Sequence, residues 1–278
     1  MQWKNLFSAV TSMSAAEAKK YIESHPVGDY QLVDVRQPKE YEAAHLPGAI
    51  FIPLATLPDR VHELSPDTPT IAYCAVGGRS RAASQFLAGQ GFTEVYNMAG
   101  GIKAWQGVQA TGPEDRGMEH FLGNEEFDDA YGLAYAMEDG LLQFYNTLAA
   151  ENPLADMKKL FQRLAGFEEK HKKRLQQEYT AKYGEKGAPI NGAGSGPEGD
   201  IMEGGDRLSH FIEAVRPRLN EPRDILELAI SLESQALDLY GRLAQKSAVG
   251  KTRQLFRRLA AEEMTHLNYL VLEFEERI

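Results

Sequence analysis

Short apolar runs alternate with helical patterns over the first 108 residues of the chain. The runs are rich in Val and Ile, which is typical of buried parallel strands. They span Gln31–Val35, Ala49–Pro53, Thr70–Cys74 and Glu94–Asn97. One helical pattern opens with the capping-box sequence Ser14-Ala-Ala-Glu17, and a later one runs from Arg79 to Gly89. Strands that alternate with helices predict a layered α/β fold with a parallel sheet.

The rest of the chain has a different pattern, with four long segments of helical periodicity. They span 126–150, 154–182, 222–247 and 250–277. The connection 184–221 is rich in glycine and contains a short helical pattern near Arg207–Val215. It is long enough to cross a bundle or to exchange helical hairpins between subunits. The predicted organisation is an α/β domain (1–110), a linker (111–119) and an all-α four-helix bundle (120–278).

A repeat relates the two halves of this predicted bundle. The segments Leu160–His171 and Leu255–His266 share seven of twelve residues at an offset of 95 positions. The same offset aligns Glu138 with Glu233 and Tyr145 with Tyr240. The bundle is therefore predicted to consist of two helical hairpins of common pattern.

Each of the four predicted helices carries glutamate on its apolar stripe, where positions i, i+3, i+4 and i+7 face the core. Two helices also carry a histidine three residues after the glutamate, which places both side chains on one helical face. These residues are Glu138, Glu168, His171, Glu233, Glu263 and His266. No Lys or Arg lies on the stripes at the same depth. Buried ionised carboxylates need compensation, and two divalent cations would balance four of them.

Mixed carboxylate and imidazole ligands suit iron or manganese. A single Glu-x-x-His is usually a solvated pair, and a single stripe glutamate often reaches solvent. Two motifs in register across a repeat, with two further stripe glutamates, favour a metal site instead.

This ligand pattern resembles that of the rubrerythrin-type ferritin-like family, and the resemblance spans about residues 120–278. It implies two iron ions bridged by Glu168 and Glu263, peroxide reduction, and a homodimer. Tyr145 and Tyr240 are then either supports for the ligands or ordinary core residues. In that family a second glutamate follows the third-helix ligand by three residues, and this chain has Ala236 there. The chain also lacks a rubredoxin-like module, so an external electron donor is expected.

Cys74 ends an apolar run and begins the loop Cys74-Ala-Val-Gly-Gly-Arg-Ser80, directly before a helix. Loop N–H groups and the helix dipole lower the pKa of a thiol in such a position. Glycines let the loop curl around the sulfur, and Arg79 adds a positive charge. A buried, inert cysteine is the alternative.

The surrounding motifs resemble a single rhodanese domain over residues 10–108. They are Leu32-Val-Asp-Val-Arg36, Glu40-Tyr41, His45-Leu-Pro-Gly48, the Cys74 loop and Ala99-Gly-Gly-Ile-Lys-Ala-Trp105. The resemblance implies a Cys74 persulfide that passes sulfane sulfur from a donor to a thiol acceptor, with Cys74 and Arg79 as catalytic residues. The residues that would hold the sulfur are Ala75, Val76, Gly77, Gly78, Arg79 and Ser80.

Two details of this loop narrow the expected substrates. Many family members have a basic or polar residue where this chain has Ala75, so thiosulfate is expected to be a poor donor. A related phosphatase would need Cys-x5-Arg, but Arg79 falls one position earlier and Ser80 takes that place. The loop length therefore favours sulfur over phosphate.

Composition and charge exclude several classes of protein. The chain is 43% hydrophobic and 25% charged, which is typical of a globular protein. Its single cysteine excludes an internal disulfide, and its net charge of −10 argues against nucleic-acid binding. No apolar run is long enough for a membrane span, and the N-terminus lacks the pattern of a signal peptide, so a cytoplasmic location is expected. The acidic excess lies in the second part, which suits cation uptake or a solvated surface.

These observations predict a protein that combines sulfane-sulfur transfer at Cys74 with a di-iron centre that reduces peroxide or activates oxygen. A persulfide or thiol as reductant would couple the two activities. The alternative is a bundle that buffers iron beside a domain that carries sulfur or docks partners.

Overall fold

The computed structural model describes residues 10–118, 121, 127–183 and 208–276. Five strands form one sheet in the order β1-β5-β4-β2-β3, and every neighbouring pair is parallel. The strands are β1 (Thr11–Ser14), β2 (Gln31–Asp34), β3 (Ile50–Phe51), β4 (Thr70–Tyr73) and β5 (Val95–Ala99). The helices between them are α1 (Ala15–Ser24), α2 (Pro38–Ala43), α3 (Leu57–Arg60) and α4 (Gly78–Gly89). This confirms the predicted parallel α/β fold.

The sheet is covered by apolar side chains on both faces, as expected for parallel strands. All four residues of β4 are buried, and Ile71 and Ala72 belong to separate apolar clusters. Strand β1 was not predicted, because it lies at the sheet edge and its side chains are mostly exposed. The capping box predicted at Ser14 and Glu17 is present at the start of α1.

Four long helices make up the bundle, and their bounds agree with the predicted segments within two residues. They are α5 (Phe127–Glu151), α6 (Ala155–Tyr183), α8 (Pro222–Lys246) and α9 (Gly250–Glu275). The short helix α7 (Leu208–Val215) lies where a helical pattern was predicted, and residues 184–207 of the connection lie outside the described part. None of the helices in the described ranges combines the length and apolarity that crossing a membrane requires.

The bundle packs against loops that precede strands β2 and β3. The Gly48 N–H donates to Asp238 Oδ1 at 3.0 Å, and a Cβ atom on Gly241 would lie 2.9 Å from the Gly48 Cα. Gly28, before β2, lies against the Arg257 side chain. In a parallel sheet these loops share the amino edge, so helix α8 approaches that edge closely because position 241 has no side chain.

A buried ion-pair network joins the two parts at this interface. Asp238 Oδ2 lies 2.8 Å from Arg242 Nε and 3.3 Å from His45 Nε2. The Arg242 Nη1 group also donates to the carbonyl oxygens of Glu114 and Arg116. The described residues of the predicted linker, 111–118, are therefore held in the interface by hydrogen bonds.

Candidate functional sites

The first candidate site is the loop that begins at Cys74, directly after β4. The Cys74 side chain is 1% exposed and lies at the carboxyl edge of the sheet. Gly77 has a φ of +98°, which favours glycine, and a Cβ atom there would lie 3.2 Å from the Gly100 nitrogen. A Cβ atom on Gly101 would overlap the Cys74 carbonyl oxygen. The glycines at these positions allow the loop to curl tightly around the sulfur.

Main-chain and hydroxyl donors surround the Cys74 sulfur. The Gly77 N–H donates to Sγ at 3.1 Å, and the Ser80 hydroxyl lies 3.5 Å from it. Burial raises the pKa of Cys74, but hydrogen bonds from the Ser80 hydroxyl and from the N–H groups of Ser80, Val76 and Gly77 outweigh it, and the net pKa is lowered. The loop therefore favours a thiolate.

Ser80 is itself held by a side chain that the sequence did not single out. Its single hydroxyl proton is shared between Cys74 Sγ and Asn97 Oδ1, which lies 2.7 Å from Ser80 Oγ, and Asn97 Nδ2 donates to Ser12 Oγ at 3.2 Å. Asn97 is on β5 and Ser12 on β1, so neighbouring strands orient the hydroxyl that faces Cys74. Nothing in the local sequence links these positions, because the contact depends on the pairing of β5 with β1.

Arg79 has a carboxylate partner in the structure, whereas the sequence indicated a single positive charge near Cys74. Its Nη1 and Nη2 groups donate to Glu40 Oε2 and Oε1, each at 2.7 Å. Glu40 belongs to α2, which was not predicted as a helix. The Glu40-Tyr41 motif in the sequence indicated no role for Glu40, because its contact with Arg79 depends on how α2 and α4 pack in the fold.

The second candidate site lies inside the bundle. Glu138 from α5, Glu168 from α6, Glu233 from α8 and Glu263 from α9 are each 0% exposed. The side chains form two groups, and within each group one ligand atom of every residue lies within 4.8 Å of those of the others. The groups are Glu138, Glu168 and His171, and His171, Glu263 and His266. The structure thus gathers five of the six predicted ligands into two overlapping groups.

Glu233 joins this set through His266. Its Oε2 lies 3.7 Å from His266 Nδ1, and that nitrogen lies at the same distance from Glu263 Oε2. Burial raises the pKa of Glu233, but Glu263, His266 and His171 lower it, and the net pKa is below the ordinary value. Helix α8 therefore contributes the Glu233 carboxylate to the set as an anion.

The two histidines lie together at the centre of the set. Their rings stack with centroids 4.5 Å apart and planes 7° apart. His171 Nδ1 lies 2.9 Å from Glu138 Oε2, and the Tyr240 hydroxyl donates to Glu138 Oε1 at 3.3 Å. Tyr240 thus contacts a predicted ligand, whereas Tyr145 packs against Phe144 and Phe161.

The residues present fit iron. Carboxylate oxygens and imidazole nitrogens from four helices converge, and this donor set is the one that divalent iron and manganese share. Four fully buried carboxylates would be costly without compensating charge. Their convergence around two imidazoles is therefore the geometry expected of a site for cations.

Comparisons with known proteins identify the first part of the chain. A family model of the rhodanese-like domain matches residues 14–107. The uncharacterized protein YqhL of Bacillus subtilis is 47% identical over 77 residues, which cover 28% of this chain and 61% of that protein. The thiosulfate sulfurtransferase GlpE of Pseudomonas syringae is 36% identical over 75 residues, which cover 27% of this chain and 71% of GlpE.

Solved structures gave a similar match. The crystal structure of a rhodanese-like domain protein from Staphylococcus aureus is 33% identical, covers 34% of this chain and 91% of its own, and has a TM-score of 0.32. Among the sequence relatives, a rhodanese-like/PpiC domain-containing protein of Arabidopsis thaliana is 46% identical over 79 residues, which cover 27% of this chain and 26% of that protein. All of these matches lie within about a third of this chain.

The second part matches a different family. A family model of rubrerythrin matches residues 224–277, which contain most of α8 and all of α9. A rubrerythrin domain implies iron binding, and Glu233, Glu263 and His266 lie within the matched residues. The chain therefore belongs to the rhodanese family through its sulfurtransferase-like first domain, and it carries a rubrerythrin domain of di-iron type in its second part.

Proposed function

We propose that Cys74 accepts sulfane sulfur from a donor and passes it to a thiol acceptor. The observation that carries this proposal is the hydrogen bonding of the sulfur by the Gly77 N–H and the Ser80 hydroxyl, which lowers the pKa of Cys74. A thiolate is the nucleophilic form of cysteine. We place the protein in the cytoplasm, because reducing compartments keep a lone thiol available.

The transfer takes two balanced steps. The Cys74 thiolate attacks the outer sulfur of a persulfide donor R–S–SH, a new S–S bond forms, and R–S⁻ leaves with the electrons of the broken bond. An acceptor thiolate R′–S⁻ then attacks the outer sulfur of the Cys74 persulfide, which yields R′–S–SH and restores the Cys74 thiolate. N–H groups of the loop from Ala75 to Ser80 would hold the terminal sulfur between the steps.

The bundle is proposed to hold two iron ions, with manganese as the alternative metal. Glu138, Glu168, His171, Glu233, Glu263 and His266 would hold them. Bound iron would supply the electron transfer that reduces peroxide or activates oxygen. The Tyr240 hydroxyl orients Glu138, and the Phe167 ring covers His266 at a centroid distance of 5.0 Å and limits its contact with water. An external donor would return the electrons, and a homodimer is the proposed assembly.

A persulfide or thiol as that donor would couple the two activities through a diffusible carrier. Cys74 lies at the carboxyl edge of the sheet, whereas the bundle contacts Gly28 and Gly48 at the amino edge. Four residues of strand separate the edges by about 13 Å. This arrangement supports a carrier between the sites and argues against direct contact within one chain.

Metal analysis with optical spectra before and after peroxide tests the bundle. The purified protein is loaded with ferrous iron without oxygen, and the expected result is two iron ions per chain, a change in the iron absorption spectrum after peroxide, and steady turnover with a supplied reductant. Iron without turnover would favour an iron-buffering bundle. No bound metal after loading would leave a purely structural bundle and contradict the proposal.

The coupling has its own test. If a persulfide donor supports peroxide turnover, an equal mixture of Cys74→Ser and Glu263→Gln proteins should retain it, because sulfur travels on a carrier between chains. Each variant alone should lose it. Unchanged turnover in the Cys74→Ser protein alone would refute the coupling.

A further inference from the structure

The entrance to the Cys74 loop carries an ion pair between α2 and α4. Arg79 donates two hydrogen bonds to Glu40, each at 2.7 Å, and about a third of each side chain is exposed. Cys74 is also one of the groups that raise the pKa of the Arg79 guanidinium, which shows that Arg79 interacts with the sulfur as well as with Glu40. The cation nearest in sequence to Cys74 is thus shared between the sulfur and a carboxylate.

Glu40 is held as an anion throughout the physiological range. The hydrogen bonds from Arg79, with a smaller contribution from the Gln37 N–H, lower the pKa of Glu40 to about 2 despite partial burial. A conservative exchange to glutamine would keep one of the two acceptor oxygens, replace the other by an NH2 group and remove the charge. The position therefore offers a way to change the charge at the entrance without changing its shape.

The remaining surface of the loop is uncharged. Val76 is 60% exposed although it is a large apolar residue, and Ala75, Gly77 and Gly78 carry no polar side chain. A dianion that approaches Cys74 meets the Glu40 carboxylate and an arginine whose two Nη groups are already engaged. A donor with an apolar body meets Val76 without a charge penalty.

We propose that Glu40 is a specificity-determining residue that disfavours dianionic sulfur donors such as thiosulfate and leaves organic persulfides as the preferred donors of Cys74. This inference rests on the proposed sulfur transfer. With thiosulfate, the Cys74 thiolate would take the outer sulfur as Cys74–S–S⁻ and release sulfite with the electron pair. With R–S–SH the same S–S bond forms, and R–S⁻ leaves. The two routes differ in the charge brought to the entrance.

The test compares two donors in wild type and Glu40→Gln. Sulfur loading is followed with thiosulfate and with 2-hydroxyethyl persulfide, whose organic part is uncharged, at low and high ionic strength. The ratio of kcat/KM for thiosulfate to kcat/KM for the persulfide should rise about tenfold in the variant at low salt, which is the order expected for a dianion some 6 Å from a unit charge in water. The rise should come from KM and should shrink in high salt.

Glu42→Gln is the matched control, because Glu42 is exposed on the same helix and its loss changes the net charge equally. Its donor ratio should stay at the wild-type value. An unchanged ratio in Glu40→Gln, or equal changes in both variants, would overturn the inference while sulfur transfer stands. Failure of wild type to take sulfur from either donor would overturn the proposed function and the inference with it.

Discussion

The Cys74 loop and the carboxylate cluster of the bundle stabilise negative charge in opposite ways. At Cys74 one buried sulfur is held by main-chain N–H groups and by Ser80, and glycines at 77 and 101 create the space. In the bundle, four carboxylates with no exposed surface come from four separate helices and converge on two imidazoles. The first site depends on backbone conformation, whereas the second depends on the identity of each side chain and on a ligand that supplies positive charge.

The two sites also face different surroundings. The Cys74 loop opens at the carboxyl edge of the sheet beside the exposed Val76, which suits exchange with partners in solution. The predicted metal ligands lie inside the bundle, which packs on the amino edge through Asp238 and Arg242. One chain therefore keeps the exposed sulfur site and the buried cation site apart, and the loss of either site should leave the other intact.

Cys74→Ser should have the largest effect. A hydroxyl cannot carry sulfane sulfur, so sulfur transfer should fall to background while the iron content of the bundle stays at the wild-type value. Intact-protein mass spectrometry after donor treatment reads the added sulfur, and metal analysis reads the iron. Sulfur retained on the Cys74→Ser protein would contradict the assignment, and a matching loss of iron would show that the sites are not separate.

Glu168→Ala should have the opposite effect, with iron lost and sulfur loading kept. Iron content should fall by about half or more, because the resemblance gives this carboxylate to both ions, while sulfur loading of Cys74 persists. Glu169→Ala is the control, since its carboxylate is exposed and pairs with Lys173. Equal iron in both variants would remove Glu168 from the ligand set.

Asp238→Ala should weaken the interface between the α/β domain and the bundle. It leaves His45 and Arg242 buried without their shared carboxylate, at a cost of about 3–5 kcal/mol in the free energy of unfolding. Glu227→Ala breaks a pair of the same i, i+4 spacing on the same helix, but that pair is more than half exposed, so about 0–1 kcal/mol is expected. Urea unfolding measures both, and similar losses would contradict the buried role of Asp238.

The pKa of Asp238 predicts how the stability contributed by this interface depends on pH. Burial raises the pKa of Asp238, but Arg242, His45 and the Gly48 N–H outweigh it, and the net pKa lies below the ordinary value. A lowered pKa in the folded state gives stability that is present above the unfolded value of about 3.9 and is lost as the pH falls through the folded value. The stability difference between wild type and Asp238→Ala should therefore persist to about pH 4 and shrink only below it.

Ser80→Ala should have the smallest effect of these changes. The variant loses a hydroxyl that lowers the pKa of Cys74 and keeps the N–H groups of the loop. A higher pKa reduces the thiolate fraction at a given pH, so the midpoint of the alkylation rate against pH should move upward. Iodoacetamide kinetics measure that midpoint. A shift to lower pH would show that Ser80 does not stabilise the thiolate.

The helices and the burial of the four glutamates were predictable because both follow from the periodicity of the apolar positions. Glu138 and Glu263 each lie on an apolar stripe that repeats over many turns of a helix. A glutamate on such a stripe is expected to be buried, and a buried carboxylate indicates a site for a cation. The Cys74 loop was predictable from its motif, because its glycines and its place before a helix are local features. Ser80 was therefore expected near the sulfur, as the structure has it.

Pairings across the fold were not predictable. Asp238–Arg242 and Arg223–Glu227 have the same spacing on one helix, yet the first pair is about 1–4% exposed and the second about 53–58%. The sequence alone cannot tell them apart, because the difference comes from the loop at Gly48 that covers only one of them. The contact of Glu40 with Arg79 likewise joins two helices that are 39 positions apart in the chain.

The separation of the two sites is tested most directly by measuring sulfur and iron in one sample. Wild-type protein is loaded with ferrous iron and with a persulfide donor, and its sulfane sulfur and iron are determined together with those of Cys74→Ser and Glu168→Ala. The expected result is one sulfane sulfur and two iron ions per chain in wild type, with each variant losing only its own ligand. Loss of both ligands in either variant, or an iron-free wild type, would contradict two independent sites in one chain.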